Sequence, residues 1–222
     1  MDLSKSLEVF NPAKYNDPIH IVGVGSVGAT VAENLARLGL RNIILWDFDV
    51  VEPHNIANQI FTADQIGKLK VEAVADIIKS INPDITSIKV MPKGWNGEKL
   101  SGFVFMCVDS IAIRKEIVNK NKYSTSIRAL FDFRTGLTFG QHYAADWGVT
   151  AHKEILLKTM DFTDEEAKAA TPVSACNTTL SVCPTIRAIC ALGVANFMNF
   201  WNEEPIKTLI LLDAFKMTLE AY

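Results

Sequence analysis

The 222-residue chain has little of what zinc sites, disulfide frameworks and membrane proteins require. It contains four cysteines and four histidines, and no two cysteines form a C-x-x-C pair. Because the usual pairs of zinc ligands are missing, we expect no zinc. No apolar run reaches the roughly 18 residues that a membrane-spanning helix needs. The formal net charge of −3 gives no reason to expect nucleic acid or an anionic membrane as a partner.

The first six residues also lack the basic and apolar regions of a secretion signal, so we expect a cytoplasmic protein. Hydrophobic residues make up 49% of the chain and charged residues 21%. These are ordinary values for a globular protein. The length is sufficient for one large α/β domain with a sizeable core.

A glycine-rich turn follows the first apolar run of the chain. Gly23, Gly25 and Gly28 have the G-x-G-x-x-G spacing of a nucleotide-binding turn. The first glycine permits the turn, the second lets a phosphate approach the backbone, and the third lets helix and strand lie close together. A second apolar run ends at Asp47, where such folds place a carboxylate that binds ribose. The pattern predicts a site for an adenine nucleotide, but it does not indicate which adenine nucleotide binds there.

Apolar periodicity predicts strands that alternate with helices over the first 131 residues. Such alternation is typical of a Rossmann-like α/β fold, a largely parallel sheet with helices on both faces. The predicted strands begin near residues 19, 42, 86, 103 and 127, and the predicted helices span about 26–39, 67–80 and 110–121. The C-terminal part adds one or two strands within 137–147, a short acidic helix at 163–170, an apolar helix at 183–201 and a closing strand at 207–213.

Three aspartates lie at the carboxyl ends of predicted strands, namely Asp47, Asp49 and Asp109. Because the carboxyl ends of parallel strands lie at one edge of a sheet, we expect these carboxylates beside the glycine turn. Cys107 lies in an apolar run and is interpreted as a small core residue. Cys183 and Cys190 fall on the predicted apolar helix and are interpreted in the same way.

Four ordered motifs resemble those of the ubiquitin-activating-type adenylyltransferases. Residues 47–59 (DFDVVEPHNIANQ) resemble the signature D-x-D-x-V-x-x-x-N-L-x-R-Q, and residues 66–73 (IGKLKVEA) resemble the helix start G-x-x-K-[VA]. Residues 81–83 match the INP found after that helix in the family, and residues 107–114 (CVDSIAIR) resemble the element D-x-x-x-x-R. The similarity is to the bacterial enzymes that activate sulfur-carrier proteins for molybdopterin and thiamine synthesis. It extends from about residue 19 to residue 114, and more weakly to the C-terminal helix.

This resemblance implies an enzyme that uses ATP and Mg²⁺ to adenylate a C-terminal carboxylate. The expected partner is a small ubiquitin-like or sulfur-carrier protein, or a peptide. The whole chain, 1–222, would be a single adenylation domain with a nucleotide-binding part at about 17–131 and a substrate or interface part at about 132–222. The fate of the adenylate, whether a thiocarboxylate, a thioester or an amide, stays open.

The family resemblance also implies a homodimer. The apolar C-terminal helix, with Phe197, Phe200 and Trp201, offers one candidate interface. The sequence does not separate that interface from the core of the chain itself.

The matched motifs assign roles to individual residues. By resemblance, Asp47 is the ribose ligand, Lys70 contacts the phosphates, and Asp109 holds Mg²⁺, a hard cation suited to carboxylate oxygen. Asn55 and Gln59 match polar residues that line the nucleotide pocket. For Lys70 the alternative is a solvated surface lysine.

Two further residues of these motifs have less direct roles. Asp49 is equally a turn cap or a direct ligand of the nucleotide. Arg114 is interpreted as a structural ion-pair partner that orients the Asp109 turn.

Asn58 lies in the nucleotide pocket by resemblance but departs from the pattern, because the family carries arginine there. Arginine would contact the triphosphate with a fixed fork of donors, and asparagine lacks that charge. Losing one such transition-state contact typically raises the barrier by about 2.7–4 kcal/mol. Activity would then be slow, absent, or compensated by Lys14, Lys68, Lys70 or a cation of a partner subunit.

Cys176 is a candidate nucleophile in an irregular segment before the C-terminal helix. Some relatives use a cysteine of this segment to receive the activated acyl group, and a thiolate would attack an adenylate readily. No histidine or other base is near it in sequence. A partly buried structural thiol is the alternative.

Other functions stay open at this point. A non-catalytic member of the family could bind nucleotide and act as a partner or scaffold, as Asn58 and the missing zinc cysteines favour. An NAD-dependent oxidoreductase would suit the glycine turn and Asp47 equally well, but hydride transfer needs neither Lys70 nor Asp109. Adenylation of a small molecule or a modified nucleoside by the same site is a third alternative.

Overall fold

A computed structural model of the protein describes residues 1–85, 87–173 and 180–222. The strands are β1 (Ile19–Val22), β2 (Asn42–Trp46), β3 (Ser87–Met91), β4 (Gly102–Met106), β5 (Ile127–Thr135), β6 (Phe139–Asp146), β7 (Leu209–Asp213) and β8 (Thr218–Ala221). The helices are α1 (Ser26–Arg37), α2 (Lys70–Ile81), α3 (Ile111–Asn121), α4 (Thr150–Lys158), α5 (Asp164–Ala169) and α6 (Cys183–Trp201).

All these strands form one sheet, in the order β3-β2-β1-β4-β5-β6-β7-β8. The first five strands of the chain pair in parallel, and β6, β7 and β8 add antiparallel pairs at one edge. The strand order reverses between β1 and β4, and ligands of open α/β sheets bind at such a reversal. This order confirms the predicted Rossmann-like, largely parallel sheet.

Helices cover both faces of the sheet because its central strands are apolar on both sides. Ile21 of β1 and Phe105 of β4 lie in a cluster with side chains of α1, α2 and α6. Val22 and Met106, the next residues of the same two strands, lie in a second cluster with side chains of α3 and α4. The two clusters fix the helices on either side of the carboxyl edge of β1 and β4, where the candidate site lies.

The C-terminal part differs from the prediction in two elements. Helix α4 was not predicted, and β8 follows the strand that was expected to close the chain. Leu156 is the one buried residue of α4, and all four residues of β8 are exposed. An element that buries so little carries almost no hydrophobic periodicity, so the sequence gives no signal for it.

The aromatic side chains near the end of α6 lie in the core of the chain itself. Phe197 and Trp201 are at most 1% exposed, and both rings lie 5.3 Å from the ring of Phe103, measured between centroids. Phe200 is partly buried against the same cluster. Phe197 and Trp201 therefore belong to the core of the chain itself, which decides for these two residues between the two alternatives that the sequence left open. In the described part of the chain, no helix combines the length and apolar character that crossing a membrane requires.

Candidate functional site

The glycine turn between β1 and α1 has three positions with different steric demands. Gly23 has φ +86°, and a Cβ there would lie 2.9 Å from the backbone of Cys107. A Cβ on Gly28 would lie 1.9 Å from the carbonyl oxygen of Gly23. By contrast, a Cβ on Gly25 would meet no described atom within 4 Å. Gly23 and Gly28 are thus needed by the fold, and Gly25 leaves open space above the backbone at the start of α1.

Asp47, at the end of β2, ties that strand to the glycine turn. Its Oδ2 accepts a hydrogen bond from the N–H of Val24 at 2.7 Å, and its Oδ1 accepts one from the N–H of Asp49 at 2.9 Å. Burial raises the pKa of Asp47, and these two hydrogen bonds act against that rise. Because each carboxylate oxygen can accept a second hydrogen bond, Asp47 keeps acceptor capacity for a ribose hydroxyl.

Lys70 opens helix α2 and is held by Asp49. Its side-chain Nζ lies 2.8 Å from Asp49 Oδ2, and its backbone N–H donates to the backbone carbonyl oxygen of Asp49 at 2.9 Å. Lys70 is 8% exposed, so it is not the solvated surface lysine of the alternative interpretation. Asp49 therefore places one buried ammonium group at the carboxyl edge of the sheet.

The polar residues after β2 divide into one structural residue and two with unused acceptors. Asn55 is buried, and its Oδ1 accepts from the N–H of Glu52 at 2.9 Å, which caps the 3₁₀ helix Pro53–Ala57. Asn58 Oδ1 and Gln59 Oε1 are buried without a hydrogen-bond partner among the described residues. Buried polar atoms in folded proteins are nearly always hydrogen-bonded, so these two oxygens are available to a ligand.

Asp109 lies in the turn between β4 and α3, with its side chain exposed. The described residues contain no group of three or more His, Cys, Asp or Glu side chains that could hold a metal ion. A single carboxylate nonetheless fits Mg²⁺, which proteins usually bind through one or two carboxylates together with substrate phosphates and water. Asp109 is therefore suited to a metal that arrives with a nucleotide.

Arg114 and Asp132 form a buried ion pair behind the Asp109 turn. One nitrogen of Arg114, Nη2, donates to the carbonyl oxygens of Val108 and Phe133, the latter at 2.8 Å. The guanidinium also pairs with Asp132, which is fully buried. Burial lowers the pKa of Arg114 to about 10. These contacts agree with the interpretation of Arg114 as a structural partner that orients the turn.

Two carboxylates near Asp109 were missed by the sequence analysis. Asp132 also accepts from Arg134 Nε at 2.8 Å, and Asp164 of α5 contacts the start of α3. Neither belongs to a matched motif. A charged residue inside the apolar run of β5 was the available signal for Asp132, and Asp164 gave no signal beyond the acidic start of its helix.

Cys176 lies outside the described residues, but the structure describes the chain immediately before residue 174 and immediately after residue 179. The N–H of Leu180 donates to the carbonyl oxygen of Pro172 at 2.9 Å. Asn58 Nδ2 donates to Ser181 Oγ at 2.5 Å. The chain on both sides of Cys176 is thus held together, and its C-terminal side is attached to a residue of the candidate nucleotide pocket.

Two of the remaining cysteines are poor nucleophiles. Cys107 lies directly under the glycine turn, and burial raises the pKa of its thiol to about 12. Burial also raises the pKa of Cys190. Cys183, at the start of α6, is partly exposed and lies 3.0 Å from Arg187 Nε. The core interpretation therefore suits Cys107 and Cys190 better than Cys183.

Comparison with known proteins identifies a family that matches nearly the whole chain and curated relatives that match less than half of it. A sequence model of the ThiF family matches residues 16–221. The ubiquitin-like modifier-activating enzyme 5 of Aedes aegypti is 37% identical in an alignment of 116 positions that covers 45% of this chain and 29% of that enzyme. The chain thus spans less than a third of the length of this curated relative.

Solved structures share the fold at low sequence identity. A structure of E. coli MccB with ATP has a TM-score of 0.72 and 18% identity, and the match covers 96% of this chain and 65% of that one. The same protein has been solved with AMPCPP and MccA. The E. coli tRNA N6-threonylcarbamoyladenosine dehydratase TcdA has a TM-score of 0.63 and 20% identity, and the match covers 90% of each chain.

Proposed function

The chain belongs to the ThiF family, and from this premise we propose that it is an ATP-dependent adenylyltransferase. Its substrate is the C-terminal carboxylate of a small ubiquitin-like or sulfur-carrier protein, or of a peptide. The product is an acyl-adenylate. The ubiquitin-like modifier-activating enzyme 5 is named for a ubiquitin-like partner, and MccB was solved with MccA, which supports this substrate class.

The observation that carries the proposal is the position of Lys70. Its ammonium group is buried and held 2.8 Å from Asp49, at the edge of the sheet where Asp47 contacts the glycine turn. A buried positive charge at this edge serves a triphosphate, because it offsets the negative charge of the phosphates. A hydride-transfer site has no need of that charge, which counts against an NAD-dependent oxidoreductase.

The proposed reaction joins two anions, so the site must offset their repulsion. A carboxylate oxygen of the substrate forms a bond to the α-phosphorus of ATP, and the bond from that phosphorus to pyrophosphate breaks. Asp47 accepts hydrogen bonds from the ribose, the open backbone at Gly25 receives a phosphate at the start of α1, and Lys70 donates to phosphate oxygens. When bound through Asp109, Mg²⁺ supplies further positive charge to the phosphate oxygens.

Asn58 favours a second candidate function, a nucleotide-binding partner with little or no catalysis. Its side-chain amide donates to Ser181, so one end of this side chain already holds the chain that follows Cys176. No charge stands where the family carries arginine. A protein of this kind would bind ATP through Asp47 and Lys70 without turning it over.

The test is ATP–pyrophosphate exchange with small ubiquitin-fold proteins and tail peptides as carboxylate donors. We expect exchange that depends on the donor and falls by about 10²-fold in Lys70→Met. Lys79→Met is the matched control, because Lys79 is an exposed lysine in the last turn of the same helix. ATP binding without exchange for any donor would favour the binding partner, and preference for a nicotinamide cofactor over ATP would overturn the assignment.

A further inference from the structure

The first turn of α3, which begins two residues after Asp109, is held by a carboxylate from a distant part of the chain. Asp164 Oδ1 accepts from the N–H of Ile111 at 2.5 Å, and Asp164 Oδ2 accepts from the hydroxyl of Ser110 at 2.9 Å. Asp164 and Ile111 are 53 residues apart in sequence. The free N–H groups and the dipole of a helix start both favour a negative charge at this place.

The Asp109 turn is therefore fixed on both sides. On its N-terminal side, Arg114 binds the carbonyl oxygen of Val108 and is itself held by Asp132. On its C-terminal side, Asp164 binds the start of α3. The electrostatics agree with this geometry, because burial lowers the pKa of Arg114 while Asp109 and Asp164 both act to raise it.

The two supports differ in their surroundings. Asp132 is fully buried in the core, and removing it would disturb the whole fold. Asp164 belongs to the six-residue helix α5. The structure describes all six residues, and none of them is buried. The contact of Asp164 with α3 can therefore be removed with little effect on the core. Helix α5 also leads directly to Pro172, where the chain that carries Cys176 begins.

We propose that Asp164 is a positioning residue for Asp109, and that its carboxylate sets the affinity of the site for the metal that accompanies ATP. This inference rests on the proposed function of the same site. Residues that orient a metal ligand typically change metal affinity by 10- to 100-fold when they are replaced. The carboxylate of Asp164 acts through the hydroxyl of Ser110 and the backbone of Ile111, and does not itself contact the metal.

The experiment compares two carboxylates of the same short helix. Glu166 also carries a negative charge, but its Oε2 accepts from the N–H of Thr163 within the cap of α5. Asp164→Ala removes the contact with α3, and Asp164→Asn keeps one acceptor. Glu166→Ala removes a carboxylate of the same helix and its bond to the N–H of Thr163, and leaves the contact of Asp164 with α3 in place. The probe is Mn²⁺, whose free concentration is measured by electron paramagnetic resonance in the presence of ATP and protein.

We expect the dissociation constant for Mn²⁺ in the ATP complex to rise by about tenfold in Asp164→Ala and by less in Asp164→Asn. Glu166→Ala should match the wild type, and all variants should share its melting temperature within a few degrees. Equal Mn²⁺ affinity in Asp164→Ala and Glu166→Ala would overturn the inference alone. A wild-type protein that binds no Mn²⁺ with ATP would overturn the inference together with the proposed function.

Discussion

The side-chain amide of Asn58 donates a hydrogen bond to the hydroxyl of Ser181 at 2.5 Å, across 123 residues of sequence. Asn58 directly follows the 3₁₀ helix Pro53–Ala57, and Ser181 lies two residues before the start of α6. The contact joins the candidate nucleotide pocket to the chain that carries Cys176. It also uses one of the two N–H donors of the Asn58 side-chain amide, at the position where the family carries arginine.

Restoring the family's charge should speed the reaction. We expect Asn58→Arg to raise the rate of ATP–pyrophosphate exchange by about 10²-fold, because a guanidinium adds a charged contact to the transition state. Asn58→Gln is the control for side-chain length without charge. The measurement is the exchange rate at saturating ATP and donor. An Asn58→Arg variant no faster than Asn58→Gln would show that the missing charge does not limit the rate.

Cys176 should be dispensable for adenylation and needed for any thioester. Ser181 contacts Asn58 of the candidate nucleotide pocket, and Cys176 precedes Ser181 by only five residues in the sequence. The short chain between them keeps Cys176 within reach of an acyl group activated in that pocket. We expect Cys176→Ser to keep pyrophosphate exchange and to lose a conjugate with the donor protein that reducing agent cleaves. The control is Cys183→Ser, measured by non-reducing electrophoresis. A cleavable conjugate that persists in Cys176→Ser would exclude Cys176 as the acceptor.

The residues around the glycine turn could be predicted because their spacing has a direct steric cause. The positions of Gly23 and Gly28 are dictated by close backbone approach, and Asp47 follows the neighbouring strand as folds of this kind require. The sequence left two interpretations of Lys70 open, since a lysine at a helix start can be solvated or buried. Only the three-dimensional contact with Asp49 decides between them.

The supports of Asp109 could not be predicted from the sequence for a different reason. Asp132 and Asp164 act through contacts with Arg114 and Ile111, which lie far from them along the chain. Such pairs leave no local pattern, because neither partner has a fixed spacing to the other. The same limit explains why the aromatic residues of α6 suggested an interface although they complete the core.

The glycines of the turn should separate folding from binding. We expect Gly25→Ala to fold normally and to lose ATP affinity, because its Cβ meets no described atom within 4 Å but would occupy the space that a phosphate needs. Gly28→Ala should be destabilised by about 1–3 kcal/mol, because its Cβ would lie 1.9 Å from the carbonyl oxygen of Gly23. Thermal unfolding and calorimetric titration with ATP measure the two effects. Unchanged ATP affinity in Gly25→Ala would show that no phosphate binds at this backbone.

The core of the protein should also make its stability depend on pH. His142 is fully buried beside the rings of Phe131 and Phe133, with its Nε2 3.2 Å from Asn196 Nδ2. Burial lowers the pKa of His142 to about 3. In the unfolded chain a histidine has a pKa of about 6.5. Between these values the unfolded chain binds a proton that the folded protein does not.

The free energy of unfolding should therefore decrease as the pH falls from about 6.5. The slope is at most about 1.4 kcal/mol per pH unit for each such histidine. Burial, and to a lesser extent the charge of Lys89, lower the pKa of His20 to about 4, so His20 adds to the slope down to that pH. Urea unfolding of the wild type, His142→Gln and the exposed control His54→Gln between about pH 7 and pH 5 tests this. His142→Gln should be less stable than the wild type at neutral pH, and its free energy of unfolding should change less with pH than that of the wild type or His54→Gln. Equal slopes for all three proteins would refute the assignment of the pH dependence to His142.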